Sequence, residues 1–143
     1  PDDVRRYISK ISGPLLDRMD IQIEMPSLSY DEISSSGEVA ETSADIRARV
    51  VAARDFAHIR TCGDTRSNAQ LDPAAIRKYC NTSPGAAALL RSAYDNLGLS
   101  ARGYDRIMRV ARTIADLDKS MTIRDVHIAE AIQLRSLDRK YWG

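Results

Sequence analysis

Residues 99–117 read LSARGYDRIMRVARTIADL, and the spacing inside this stretch decides the fold class. Ser100 stands where an N-cap belongs, because its hydroxyl can accept from a first-turn amide that has no partner within the helix. At about 100° per residue, Tyr104, Ile107, Met108, Val110, Ala111, Ile114 and Ala115 fall on one broad arc, which predicts an amphipathic helix. Arg102, Arg106, Arg109 and Arg112 fall on the opposite arc. The spacing therefore predicts a buried apolar face and an outward row of four guanidiniums. Such a row is ordinarily a solvated face. Arg102 differs by its position. It sits in the first turn, beside unpaired amides and the positive end of the helix dipole, where anions are favoured. A guanidinium there asks for an anionic partner, and phosphate matches its fork of donors.

Outward from this helix, capping residues mark further helices on both sides. Ser83-Pro84 opens one through Ala87, Leu90, Ala93, Tyr94 and Leu97, which Gly98 closes. Asp72-Pro73 opens another through Ile76, Tyr79 and Cys80. Thr42, three residues before Asp45, has the spacing of a capping box and starts a long helix that ends near Gly63. Its predicted packing stripe is Ile46, Val50, Ala53 and Ala57, with Arg47, Arg49 and Arg54 off it. Residues 65–70 read as polar loop. Beyond the arginine helix, Thr122 stands three before Asp125 and predicts the cap of a last helix through Val126, Ile128, Ala129, Ile132 and Leu137.

The N-terminal part reads differently. A short helix from Asp2 or Asp3 through Ile11 breaks at Ser12-Gly13-Pro14, and residues 15–18 make another turn. Met19, Ile21, Ile23 and Met25 then alternate with Asp20, Gln22 and Glu24, which is strand periodicity, stopped by Pro26. No adjacent segment offers a hairpin partner, so a strand here would need a sheet supplied from elsewhere. Residues 27–42 read as a loop with one helical turn at Tyr30–Ile33, and Ser34–Gly37 is its most flexible part. The orphan strand, and a start at Pro1 without methionine, predict a piece of a longer protein.

Composition narrows the function classes. With 143 residues, 43% of them hydrophobic and 6% aromatic, the chain is one core-forming, helix-rich domain or a domain plus a fragment. A net charge of +1 gives no global reason to bind nucleic acid or an acidic membrane, so any basic surface is local. No apolar run approaches the roughly 20 residues that cross a bilayer. Two cysteines, Cys62 and Cys80, without a secretory signal read as reduced thiols in the cytoplasm. His58 and Cys62 share a helix face, yet only Cys80 and His127 could join them as soft ligands, so no metal site is expected. The chain holds neither G-x-S-x-G nor H-E-x-x-H, and it lacks the phosphate loop G-x-x-x-x-G-K-[ST].

Four stretches, in order, carry a family resemblance. They are ISGPLLDRMDI at 11–21, Asn68-Ala69-Gln70-Leu71, LSAR at 99–102 continuing to ARTIADL at 111–117, and HIAEAIQ at 127–133 with Arg135. Together they resemble the C-terminal part of magnesium-chelatase-like AAA+ ATPases of the bacterial ComM/YifB type, over nearly the whole chain. The resemblance implies a mainly α fold, a helical bundle serving as the AAA+ C-terminal lid, preceded by a short strand and loop from the ATPase core. Residues 1–41 would be the core remnant and 42–143 the lid. Arg102 matches the sensor 2 arginine aimed at the γ-phosphate of ATP. Arg18 matches the arginine finger that reaches a neighbouring subunit's nucleotide, a role worth about 10³ or more in rate; its alternative is an ion pair with Asp17 or Asp20. Arg106, Arg109 and Arg112 would face the core, a partner subunit or a nucleic-acid backbone, unless they form a salt-bridged surface.

The resemblance further implies ATP and Mg²⁺ in the full-length protein, with none expected on these residues, since the phosphate loop and acidic magnesium motif lie upstream in the family. Implied partners are the ATPase core of the same chain, neighbouring subunits of a homo-oligomeric ring such as a hexamer, and DNA, with no membrane. The implied output is DNA translocation of the branch-migration kind in competence and recombination. Metal insertion into porphyrin is the alternative, and a non-catalytic helical DNA- or protein-binding module is another.

Overall fold

The structure is a computed structural model in which residues 15, 18–23, 25–34, 41–64 and 67–135 are described. The expected helix before Gly13, most of Ser34–Gly37, and Leu137 lie outside them. Among the described residues five helices build the bundle: α1 Ser43–Arg60, α2 Pro73–Tyr79, α3 Pro84–Leu97, α4 Ala101–Leu117 and α5 Asp125–Gln133. A five-residue helical turn at Tyr30–Ser34 precedes them.

Local chemistry sets most of the boundaries. The Thr42 hydroxyl accepts from the Asp45 amide at 3.2 Å while the Asp45 carboxylate accepts from the Thr42 amide, so the predicted capping box is present. Asp72 accepts from the Ala75 amide at 2.7 Å and Ser83 from the Ala86 amide at 3.1 Å, each with proline opening the helix behind it. Gly98 ends α3 at φ +58°, a left-handed conformation that suits glycine.

Helix α4 is the centre of the fold. Ile107, Met108, Val110, Ala111 and Ala115 are buried, and Tyr104 and Ile114 are half-buried, as the arc predicts. Around them pack Leu71, Ile76 and Cys80 from the α2 region, Ala86 and Leu90 from α3, and Ile123, Ile128 and Ala131 around α5. Burial of each large aliphatic side chain contributes about 1.5–3 kcal/mol. The loops after α2 and α4 are tied by a parallel β-bridge between Thr82 and Ile123. In it Ser83 donates its amide to the Ile123 carbonyl at 2.9 Å, and Ile123 donates to Asn81 at 2.8 Å.

Several expectations are corrected. Residues 19–23 and 25 are not in a strand, and the described residues contain no β-strand. Alternation alone builds no ladder. The Gln22 amide donates instead to the Leu134 carbonyl at 2.7 Å, just beyond α5. The polar loop holds a 3-10 turn, Asn68–Gln70, packed on α4. Thr122 does not cap α5, because Ile123 is drawn into the bridge. The helix starts after Arg124, whose amide donates to His127 Nδ1 at 3.0 Å. Val126 is exposed rather than packed. On α1, Ala53 and Ala57 are half-buried but Ile46 and Val50 are exposed. Partial burial on α1 is confined to Ala53, Phe56, Ala57 and Arg60.

Candidate functional site

The entry to α4 places the residue singled out by sequence. The Ser100 hydroxyl accepts from the Gly103 amide at 3.0 Å, fixing the first turn. Arg102 is the second residue of the helix. It is exposed, and among the described residues it has no hydrogen-bonding or ionic partner. A groove of about 620 Å³ runs alongside, between α3 and the start of α4, and is lined by Arg91, Tyr94, Asp95, Ala101, Tyr104 and Asp105 among others. Tyr94 and Tyr104 meet edge to face there, with ring centroids 6.5 Å apart. Two carboxylates against one guanidinium make the groove a poor place for a polyanion.

The rest of the guanidinium row does not face outward as expected. Arg106 is bonded to Asp20. Arg109 is half-buried and donates its Nε–H to the Leu71 carbonyl at 2.9 Å. Arg112 is fully buried. Its Nε donates to Asp116 at 3.1 Å, one terminal nitrogen to the Met121 carbonyl at 2.9 Å, and the other to the Ser120 carbonyl. A side chain enclosed on every side touches neither DNA nor a subunit. The physical reason is coverage: α1, the 3-10 turn and the α4–α5 loop close over part of the arc that periodicity assigns to solvent.

Asp116, which sequence reasoning missed, holds this enclosed cluster together. It is 1% exposed. It accepts from Arg60 Nε at 3.0 Å, from Arg60 Nη2 at 3.2 Å, and from Asn68 Nδ2 at 2.7 Å, besides Arg112. Arg60 also donates to the Tyr79 carbonyl and to Asn68 Oδ1, both at 3.1 Å. Asn68 reaches Thr113 at 3.2 Å. Burial lowers the Arg112 pKa, and the Asp116 carboxylate opposes that shift. Two cations on one anion are tolerated because nearly every donor finds an oxygen. The Arg112/Asp116 spacing of four was the available signal, though Arg60 and Asn68 lie too far off in sequence to be inferred from it.

Arg18 lies exposed in a turn whose amide donates to the Leu15 carbonyl at 3.0 Å. Among the described residues its side chain has no partner. Asp20, one candidate for an ion pair with it, is taken by Arg106, and Asp17 lies outside the described residues. The segment after Arg18 is fastened to the bundle: Arg135 Nη1 donates to the Met19 carbonyl at 2.9 Å, and Gln22 donates to Leu134 as above.

Cys80 is buried, and burial pushes its thiol up to about 11. Cys62 is exposed at the end of α1. His127 is buried with Nδ1 accepting, which directs Nε2–H to Asp118 at 3.2 Å. That hydrogen bond, then Arg124, holds the Asp118 carboxyl below its ordinary value. Among the described residues no three His, Cys, Asp or Glu converge on a metal position, and no helix is long and apolar enough to cross a membrane.

The family model for the C-terminal region of magnesium chelatase subunit ChlI matches residues 40–135, and that for magnesium chelatase subunit ChlI matches residues 1–33. The chain is 38% identical over 139 residues to competence protein ComM of Haemophilus influenzae, and equally to protein YifB of Escherichia coli. Each match covers 97% of this chain and 27% of the relative. An uncharacterized protein of Mycobacterium tuberculosis is 36% identical over 132 residues, covering 92% of this chain and 26% of its own length. The chain thus spans about a quarter of the length of the curated relatives it matches.

Proposed function

Since this chain belongs to the magnesium chelatase family, as a C-terminal region of the ComM/YifB type, we propose that it is the lid of an ATP-hydrolysing ring motor. Residues 42–143 are the lid, and residues 1–41 belong to the end of the ATPase core. Arg102 is the arginine that meets the terminal phosphate of ATP, and Arg18 is the finger that reaches a neighbouring subunit's nucleotide. One observation carries the reading. Of the four arginines on α4, three are engaged by described residues, and Arg102, at the helix N-terminus, is exposed and has no partner among the described residues. An exposed guanidinium in the first turn of a helix presents a ready set of donors for phosphate.

The metal that accompanies ATP would be held with the nucleotide by the ATPase core. What this chain contributes is charge and position. Arg102 binds the transferable phosphoryl group, Arg18 stabilises charge developing on it from across a subunit boundary, and the bundle converts phosphate loss into rotation. The intact protein works on DNA. The name of the Haemophilus relative, a competence protein, favours this over metal insertion into porphyrin. A lid that gripped DNA through its arginine row is disfavoured, because Arg112 is enclosed and Arg106 and Arg109 are engaged.

The test is Arg102→Ala in the full-length protein. ATP turnover should fall by about 100-fold or more while far-ultraviolet circular dichroism stays unchanged. Wild-type turnover would remove the assignment. DNA as the substrate is checked separately by DNA-stimulated turnover, which should weaken steeply as salt rises.

A further inference from the structure

We propose that Asp20 and Arg106 are positioning residues that fasten the Arg18 turn to the Arg102 helix, so that a movement of the lid is delivered to the finger. The proposal rests on the reading of Arg18 and Arg102 given above. Arg106 is one helical turn beyond Arg102 on α4, and Asp20 is two residues beyond Arg18. The two side chains bond across 86 positions of sequence. Arg106 is mostly covered, at 18% exposure, and Asp20 is half exposed.

A single half-exposed ion pair is a weak, salt-screened attachment. This one does not act alone. Met19 accepts from Arg135 at 2.9 Å on one side of Asp20, and Gln22 donates to Leu134 at 2.7 Å on the other. Three attachments within four residues leave the segment no independent path, and it travels with α4 and the end of α5. The backbone bonds hold the segment on the bundle. The ion pair joins it to α4, and so sets the register between Arg18 and Arg102. Because Arg18 reaches toward a neighbour, a shift of α4 on loss of the terminal phosphate crosses the subunit boundary through this pair. Coupling of this kind is reciprocal, so the neighbour's nucleotide also biases the lid.

The experiment uses the full-length protein with Asp20→Arg, Arg106→Asp, and the two together. Each single reversal should lower ATP turnover at saturating ATP by about tenfold, while affinity for a non-hydrolysable ATP analogue stays within about twofold. The double reversal, which restores an ion pair of opposite sense, should recover turnover to within about threefold of wild type. Hydrogen exchange supplies the readout besides activity. The analogue should protect residues 18–23 in wild type and in the double reversal, and in neither single variant. Wild-type turnover in the single variants, or a double variant no better than the singles, overturns the coupling while leaving the lid reading intact. Wild-type turnover in Arg102→Ala overturns both. Where a reversal does not fold, Asp20→Asn and Arg106→Gln give the same contrast. Lost protection at 18–23 with α4 amides still slow supports the proposal, and unchanged protection at 18–23 overturns it.

Discussion

The Asp116 carboxylate receives the Arg60 guanidinium through two bonds, of 3.0 and 3.2 Å, and so joins the end of α1 to the last turn of α4 across 56 residues of sequence. Removing the carboxylate leaves Arg60 and Arg112 as buried cations without their counter-ion. Loss of one partner from such a pair costs about 3–5 kcal/mol, more than the pair itself is worth against an apolar replacement. Asp116→Ala should therefore lower the denaturant-derived stability by that amount, while Asp118→Ala, at an exposed position, should change it far less. Equal effects of the two substitutions would mean that the buried cluster is not what holds α1 in place.

Arg102 is the opposite case. It is exposed and unpartnered among the described residues, so Arg102→Ala should shift unfolding free energy by no more than about 0.5 kcal/mol. Thermal melts of the purified variant check this. A large loss of stability would show that the side chain serves packing rather than a ligand.

Ser100 fixes the turn from which Arg102 projects, through its bond to the Gly103 amide. Ser100→Ala should cost about 1 kcal/mol of stability. Ser100→Asp keeps an acceptor at the cap and should be close to neutral in urea titrations.

The Asp118 carboxyl is held below its ordinary value of 3.8, first by the His127 hydrogen bond and then by Arg124. Its folded-state pKa is therefore lower than its unfolded one, and the unfolded chain binds more protons in the acid range. The stabilisation it brings is complete above pH 3.8 and fades as pH falls below it. The stability difference between wild type and Asp118→Asn should be level at neutral pH and shrink in acid. A difference that grows on acidification would reverse the assignment.

At pH 8 a thiol with a pKa of about 11 is thiolate in only about one molecule in a thousand, and Cys80 is buried besides. Iodoacetamide should modify the native protein once, at Cys62, and reach Cys80 only after unfolding. Mass spectrometry of the digested protein distinguishes the two positions.

Where the chain controls its own neighbourhood, the sequence was legible. The caps at Thr42, Asp72, Ser83 and Ser100, and the left-handed Gly98, are contacts within three or four residues. The apolar arc of α4 was legible for the same reason. Periodicity says which face is apolar, but not how much of the circumference other elements will cover. Arg112 and Asp116 lie on the polar side of α4 and became interior because α1 and the 3-10 turn lie over them. The pairs Arg60–Asp116 and Asp20–Arg106, 56 and 86 residues apart, leave no local trace. The alternation at 19–25 was real, yet it describes any extended segment, and among the described residues no second segment pairs with it as a strand. Within the candidate site, the first-turn position of Arg102 was readable, and the engagement of its three companions was not.

The bridge between Thr82 and Ile123 inverts the usual ranking of loops and helices. Connections are ordinarily where a chain tolerates insertions and where proteases begin. Here two connections are stitched to each other by the Ser83 and Ile123 amides. These amides should exchange with solvent about as slowly as those in the middle of α4. An extra residue spliced in at either point would loosen both connections at once, so the tolerated sites for tags or cleavage lie instead in the exposed stretch 25–30.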